Sequence, residues 1–181
     1  MKLFQDGDTA TQDKKCHFIC EVRSMKVEKA VANIKAATHD ISDEYSTDEC
    51  IGFLNTVVQQ ISHLLIAAKS PQMVMEIKIH NLEDLPSDFV KPAGTYPIKI
   101  TGQKMAFLDE EMDEIRFRYF ATKKQIEDIV EDMPFRHEQL NDVAVKSAVL
   151  LALNQNEYDI SQDKALVDEI KQVIAQGMAD T

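Results

Sequence analysis

Cys16, His17 and Cys20 are the residues whose types and spacing come closest to a chemical site, since thiolate and imidazole groups bind zinc or carry thiol chemistry. On a helix, Cys16 and Cys20 would lie on one face, one turn apart. A structural zinc site needs further ligands of the same kind, and Cys50 is the only other cysteine. We therefore interpret the pair as small apolar residues that begin a buried helix face. A metal- or thiol-dependent enzyme built on these three residues stays an alternative.

The other candidates for catalytic or binding chemistry are dispersed along the chain. The histidines fall in separate predicted elements, without the spacing of metal ligands: His17, His39, His63, His80 and His137. The acidic run 109–114 lacks the glycine-containing spacing of a calcium loop and indicates a solvated surface. No glycine-rich phosphate loop and no Gly-x-Ser-x-Gly motif occurs. The sequence therefore predicts a protein that is not an enzyme and has no cofactor and no metal site.

Length and composition predict one globular domain preceded by an arm. The chain has 181 residues, of which 44% are hydrophobic and 28% charged, as in ordinary soluble proteins. No apolar run approaches the roughly 20 residues that span a bilayer, so we expect no membrane partner. The polar start MKLFQDGDTATQDKK has no signal-peptide core, and three cysteines fit a reducing compartment. The net charge of −11 and the lack of a basic patch argue against direct nucleic-acid binding.

Apolar stripes at steps of three and four residues predict four helices. Ser46 or Thr47 is the expected N-cap of the second helix, because Asp48 and Glu49 follow where the helix dipole favours acids. Gly177 is the expected stop of the last helix. We expect an arm at 1–15 and a single domain at 16–181, with helices at about 16–39, 48–69, 136–154 and 161–176.

Alternating apolar and polar residues predict a β-element at about 73–121, with four short antiparallel strands. A short helix or helical turn is expected in TKKQIEDIVEDM, ending near Pro134. Within the β-element, Pro86 favours an extended Leu85, and Asp88 or Ser87 can accept a backbone hydrogen bond that closes a turn. Leu85 and Phe89 would anchor this turn to the core. The predicted fold class is mostly α with an inserted small antiparallel β-element (α+β), arranged as a helical bundle.

The order of several short motifs resembles the head-to-tail adaptor proteins of tailed bacteriophages. The motifs are Tyr-Ser-Thr-Asp-Glu at 45–49, Leu-Pro-Ser-Asp-Phe at 85–89, Phe-Arg-Tyr-Phe at 117–120, Met-Pro-Phe at 133–135 and AVLLALNQNE in the central helix. The resemblance implies an adaptor-like helical bundle with an inserted β-element. It also implies a virion protein that forms a ring of about twelve copies below the portal and joins the capsid to the tail.

The resemblance further implies roles for particular residues and partners. Leu85, Pro86, Asp88 and Phe89 would pin the β-element, which faces a downstream tail, stopper or nozzle protein. Pro134 and Phe135 would set the entry of the central helix. The last helix would dock on the portal, with the candidate interface residues Leu166, Ile170 and Ile174. Genomic DNA would pass through the lumen without specific binding, and before assembly the chain would lie in the host cytoplasm.

A second functional class also fits the strongly acidic composition. The alternative is a cytoplasmic acidic regulatory protein or a DNA mimic, which would bind a DNA-binding enzyme through its negative surface. The two hypotheses differ in the expected partner. The adaptor needs a portal protein as its partner, whereas the mimic needs a DNA-binding enzyme.

Overall fold

The structure is a computed structural model that describes residues 25–38, 45–109, 111–153 and 160–179. The predicted arm at 1–15 and the first part of the predicted helix 16–39, including Cys16, His17 and Cys20, lie outside these residues. The described helices are α1 (Val27–Ala37), α2 (Thr47–Ala67), α3 (Glu138–Leu153) and α4 (Lys164–Ala179). The strands are β1 (Val74–Ile79), β2 (Glu83–Asp84), β3 (Phe89–Pro92), β4 (Ile98–Thr101), β5 (Lys104–Phe107) and β6 (Ile115–Ala121).

The helices surround the larger of two apolar cores. α2 and α3 lie at its centre and are joined there by the apolar faces of α1 and α4. Completely buried side chains come from three of these helices, among them Ile34, Leu54, Ile61, Leu140 and Ala144. By length and composition α2 could cross a membrane, a test that the core helix of a soluble protein also passes. Its buried residues instead pack inside this core.

The start of α2 is fixed by local hydrogen bonds. Ser46 is the N-cap, one of the two residues predicted, and its hydroxyl accepts a hydrogen bond from the Glu49 N–H at 3.2 Å. The Glu49 carboxylate accepts from the Ser46 N–H at 2.8 Å, which completes a capping box. Hydrogen bonds from the Ser46 backbone and hydroxyl lower the pKa of Glu49. The polar loop therefore ends at a defined residue.

The six described strands form two antiparallel sheets of three strands each. The first sheet has the order β1-β6-β3, and the second has the order β2-β5-β4. The second core lies between them and contains Ile79, Phe117 and Tyr119 from the first sheet and Met105 and Phe107 from the second. β6 also contributes Phe120 to the helical core, because successive side chains of a strand point to opposite faces. The first sheet is therefore shared between the two cores.

The predicted helical bundle with an inserted β-element is wrong. The described chain has an α+β fold, in which two three-stranded sheets enclose a core of their own beside the helical core. The prediction of four strands missed β2 and β3. β2 is only two residues long, and β3 contains a register shift between Phe89 and Lys91 and ends at Pro92. Neither strand carries enough alternating residues to be recognised locally.

Candidate interaction surfaces

The Leu-Pro-Ser-Asp-Phe stretch is a tightly held connection between β2 and β3. The Phe89 N–H donates to the Pro86 carbonyl at 3.0 Å, which closes the turn, and the Leu85 N–H donates to the Gln103 carbonyl at 2.7 Å. The Asp88 carboxylate accepts a hydrogen bond from the Tyr119 hydroxyl at 3.1 Å. The Phe89 ring packs on Tyr119 with a centroid distance of 5.8 Å. These contacts give the stretch a structural role inside the chain.

Tyr119 is the most perturbed group of this connection. Its side chain is nearly inaccessible, and burial is the main cause that raises its pKa to about 12, followed by the hydrogen bond and charge of Asp88. A buried phenol with its proton held by a carboxylate is suited to fixing the turn against β6. Tyr119 is therefore better placed to stabilise the turn than to act as an acid or a base toward a substrate.

Residues 122–137, here named the connector segment, join β6 to α3 without any helix or strand. A short helix or helical turn was expected in TKKQIEDIVEDM, and no helix forms there; a single turn occurs, in which the Glu131 N–H donates to the Asp128 carbonyl at 3.3 Å. The Asn55 side chain binds the backbone of Ile126 twice, accepting from its N–H at 2.7 Å and donating to its carbonyl at 3.0 Å. One turn further along α2, Gln59 donates to the Lys123 carbonyl at 2.9 Å. These polar side chains satisfy backbone groups that a helix would have paired internally.

The connector segment also caps α1. Lys26, the residue before α1, has no capping side-chain hydrogen bond, and the first helical N–H groups donate to connector carbonyls instead. The Val27 N–H donates to Glu131 and the Glu28 N–H to Ile129, both at 3.0 Å. An ion pair at 2.8 Å joins Lys26 to Asp132 on the surface. The sequence offered no signal of this arrangement, because both partners are backbone groups far apart in the chain.

Pro134 and Phe135 lie at the end of the connector segment, immediately before α3. The Phe135 side chain is only 1% exposed in the helical core. Its N–H donates to the Asn141 Oδ1 at 3.2 Å, and its carbonyl accepts from the Asn141 Nδ2 at 2.9 Å. Asn141 is completely buried and was missed in the sequence, where it stands among the apolar residues of the central helix. It fixes the chain entry into α3.

The candidate portal-docking residues of the last helix face the protein's own core. Leu166 and Ile170 are buried in the helical core, and Ile174 packs against it partly buried. α4 begins at Lys164 rather than at the predicted 161, after a short 3-10 turn at Ile160–Gln162, and its backbone continues beyond Gly177 to Ala179. In this conformation these three side chains stabilise α4 on α3.

Two exposed leucines lie just outside the strands of the second sheet, whose outer face also carries the exposed Lys99 and Lys104. Leu82 is 64% exposed and Leu108 is 67% exposed. The residues that precede them are joined by a hydrogen bond of 2.9 Å from the Phe107 N–H to the Asn81 side chain. Leu82 has a φ of 63°, a left-handed conformation that is rare for leucine. We name this surface the outer patch, which consists of Leu82, Pro97, Ala106 and Leu108.

The register of the second sheet brings the members of the outer patch together. Ala106 lies between Met105 and Phe107, which are both buried, so it faces outward. The Leu108 N–H donates to the Pro97 carbonyl at 2.9 Å, which places Pro97 beside Leu108. Exposed apolar groups gathered in this way are typical of surfaces that contact other proteins.

The exposed face of the first sheet carries charged side chains of both signs that form ion pairs. Glu76 on β1 lies 3.8 Å from both Arg116 and Arg118 on β6, and Lys78 lies 2.9 Å from Glu114. The hydrogen bond from Lys78 lowers the pKa of the Glu114 carboxyl. These pairs are exposed, so each contributes little to stability. They keep this face of the sheet polar.

Other features offer little chemistry in the part of the chain that the structure describes. Those residues bring together no group of three or more His, Cys, Asp or Glu side chains able to hold a metal ion. Burial lowers the pKa of the Lys123 ammonium, a half-buried group beside α2. A shallow polar groove of about 150 Å³ lies between α3 and α4, lined by Gln139, Glu169, Gln172, Val173 and Gln176. No protein-family model and no curated protein matches this chain.

Proposed function

We propose that this chain is a structural assembly protein, and that it acts as the head-to-tail adaptor in the neck of a tailed bacteriophage. In this role, copies of the chain form a ring below the portal protein, and the ring carries the next tail component while DNA passes through its lumen. The order of the short motifs between residues 45 and 157 supports the viral part of the proposal. The surface of the β-part supports the assembly part.

The observation that carries the proposal is the outer patch. Leu82 is 64% exposed and Leu108 is 67% exposed beside a sheet whose other face contributes Met105 and Phe107 to the second core. Leu82 has a φ of 63° in the tight turn between β1 and β2, which places its side chain at the surface. We propose that the outer patch contacts the downstream tail or stopper protein. The resemblance to phage adaptors likewise implies that the β-part faces the next tail component.

The copy number of the chain in purified virus particles tests the proposal. Quantitative peptide mass spectrometry against the portal protein should give near-equal amounts of the two chains. A chain that is absent from particles but abundant in cells would overturn the adaptor function and favour the acidic regulatory protein or DNA mimic. Pull-down of a DNA-binding enzyme from those cells would then identify that alternative.

Substitutions in the outer patch test the contact itself. Leu82→Asp and Leu108→Asp should each give particles that contain the chain but lack the downstream tail component. Val130→Asp is the matched control, because Val130 is 70% exposed in the connector segment, away from the patch. Tails that attach normally to both patch variants would exclude the outer patch as the contact surface. They would leave the copy-number result unaffected.

A further inference from the structure

The outer edge of β1 is the longest sheet edge without a paired strand among the described residues. β1 spans six residues and pairs through its full length with β6 on one side only. It contains no proline and no register shift. An edge of this kind presents a row of N–H and C=O groups that can pair with another strand.

The other three sheet edges are less suited to pairing. β3, at the opposite edge of the first sheet, ends at Pro92, which has no N–H group, and has a register shift after Phe89. In the second sheet, β2 has two residues and β4 has four. The edge of β1 is therefore the described sheet edge best suited to pairing with another strand.

The side chains of β1 alternate in a pattern that is complementary to itself. Met75, Ile77 and Ile79 point to the second core, and their burial decreases along the strand from a completely buried Ile79 to Met75, which is 49% exposed. Glu76 and Lys78 point to the charged outer face, on either side of Ile77. An acid and a base thus flank a central apolar residue at equal distances.

We propose that β1 pairs antiparallel with β1 of a second copy of this chain, about a two-fold axis at Ile77. In this register Ile77 faces Ile77 of the second copy, and Glu76 faces Lys78 of the second copy twice. Met75 lies opposite position 79 of the second copy in this register. The two first sheets then form one continuous six-stranded sheet.

Neighbouring registers are disfavoured by charge and by face. Because directly opposite residues share a face of the sheet, a shift by one residue would join the apolar face of one copy to the charged face of the other. A shift of the axis to Glu76 would place two carboxylates opposite each other, and a shift to Lys78 would place two ammonium groups together. Only the axis at Ile77 opposes unlike charges throughout.

This inference is separate from the ring of the proposed function. A closed ring of a single chain uses contacts between two different surfaces, whereas the β1 contact joins the same surface on both copies. The β1 pair therefore describes the free chain before assembly. The dimer can exist whether or not the chain belongs to a virus particle.

Charge exchange in the full-length protein tests the register. Glu76→Lys and Lys78→Glu each create two like-charge pairs, so each should weaken the dimer on the order of 10-fold or more in sedimentation equilibrium. The double variant Glu76→Lys/Lys78→Glu restores unlike charges and should return the dissociation constant to within about 3-fold of the original. Residue 78 also lies opposite Arg116 within one copy, so the urea midpoint of each variant is measured alongside to separate stability of the single chain from dimer formation.

Cysteine cross-linking provides the second measurement. In a background with Cys16→Ser and Cys20→Ser, Ile77→Cys should form a disulfide-linked dimer under mild oxidation. Met75→Cys is the control on the same strand, because residue 75 lies opposite residue 79 and should not cross-link to itself. Equal cross-linking of both variants would overturn the register.

Two outcomes would overturn the proposal as a whole. A chain that stays monomeric at all concentrations, with fast hydrogen exchange in β1, would show that this edge remains free. A monomeric chain with protected β1 amides would indicate that residues 1–24 of the same chain cover the edge. In both cases the copy number in virus particles would still decide the proposed function independently.

Discussion

Replacement of Asn141 by alanine is the sharpest test of how this fold is held together. The Asn141 side chain makes two hydrogen bonds to the backbone of Phe135, at 2.9 Å and 3.2 Å, inside the helical core. Asn141 is 0% exposed and Phe135 is 1% exposed, so water cannot replace the lost partner without opening the core. The substitution therefore leaves one buried N–H and one buried C=O unpaired.

The size of the effect follows from these two groups. Each buried backbone group that loses its partner costs about 1–3 kcal/mol. Alanine has a higher helix propensity than asparagine, and this offsets about 0.5 kcal/mol of the lost stability in α3. We expect Asn141→Ala to lower the free energy of unfolding by about 2–4 kcal/mol. That is a large part of the stability of a domain of this size.

Urea unfolding followed by far-UV circular dichroism measures this loss, since the chain has no tryptophan. The midpoint should fall while the slope with denaturant stays unchanged. Asn33→Ala is the matched control, because Asn33 is exposed on α1 and the same atoms are removed there. The control should leave stability unchanged or raise it by about 0.5 kcal/mol.

A loss below about 1 kcal/mol for Asn141→Ala, or a loss equal to that of the control, would refute the reasoning. Asn141→Asp adds a pH test. Burial and the Phe135 carbonyl disfavour a carboxylate, so the folded-state pKa of the introduced carboxyl should lie above its unfolded value of about 3.9. The stability of this variant should therefore recover as the pH falls toward about 4, because the protonated acid can again donate to the Phe135 carbonyl.

Three further predictions concern other stabilising interactions of the fold. Between about pH 10 and 12 the protein should lose about 3 kcal/mol of stability as Tyr119 deprotonates in the unfolded state first, and Tyr119→Phe should lose less in a comparison of urea midpoints. Asn55→Ala should speed hydrogen exchange in residues 123–131 on the order of 10-fold or more, because Ile126 loses both hydrogen bonds to α2. Ser46→Ala should lower stability by about 1 kcal/mol in urea unfolding, since the N-cap hydroxyl is lost.

Each of these predictions has its own control. Tyr96→Phe controls for the loss of a tyrosine hydroxyl, and an equal alkaline change in both variants would contradict the role of burial at Tyr119. Thr56→Ala removes an exposed hydroxyl from α2 and should leave exchange in the connector segment and overall stability unchanged. Because the pKa of Glu49 is lowered in the folded state, its contribution to folding stability is present above pH 4.5 and is lost as the pH falls. Glu49→Gln removes this carboxylate, and an acid dependence that stays unaltered in that variant would contradict the capping box.

The positions of the helices could be predicted because their signals are local. The apolar stripe of α2 and its cap at Ser46 lie within one stretch of sequence, and the structure places α2 at Thr47–Ala67, where 48–69 was expected. The end of α4 was less predictable, since Gly177 did not stop the helix. Glycine ends a helix only where the following chain accepts the left-handed turn, and the sequence alone does not reveal that.

The division of the strands into two sheets could not be predicted, because pairing joins distant residues. Val74 pairs with Phe120 and Ile79 with Ile115, and no local pattern selects these partners. Alternation along β6 was visible in the sequence. It did not reveal that Phe120 serves the helical core while Tyr119 serves the second core. One strand shared by two cores is what separates this α+β fold from a helical bundle with an insertion.

The connector segment shows why local periodicity failed elsewhere. QIEDIV has a helical spacing of apolar residues, yet Asn55 holds the backbone of Ile126 within it and Asn141 holds that of Phe135 beyond it. Both asparagines stand among apolar residues of buried helices, where a sequence pattern treats them as exceptions. Each of them pairs backbone groups of the connector segment, Asn55 at Ile126 and Asn141 at Phe135, which local periodicity does not reveal. We expect contacts with other chains at the two β surfaces, the outer patch and the edge of β1.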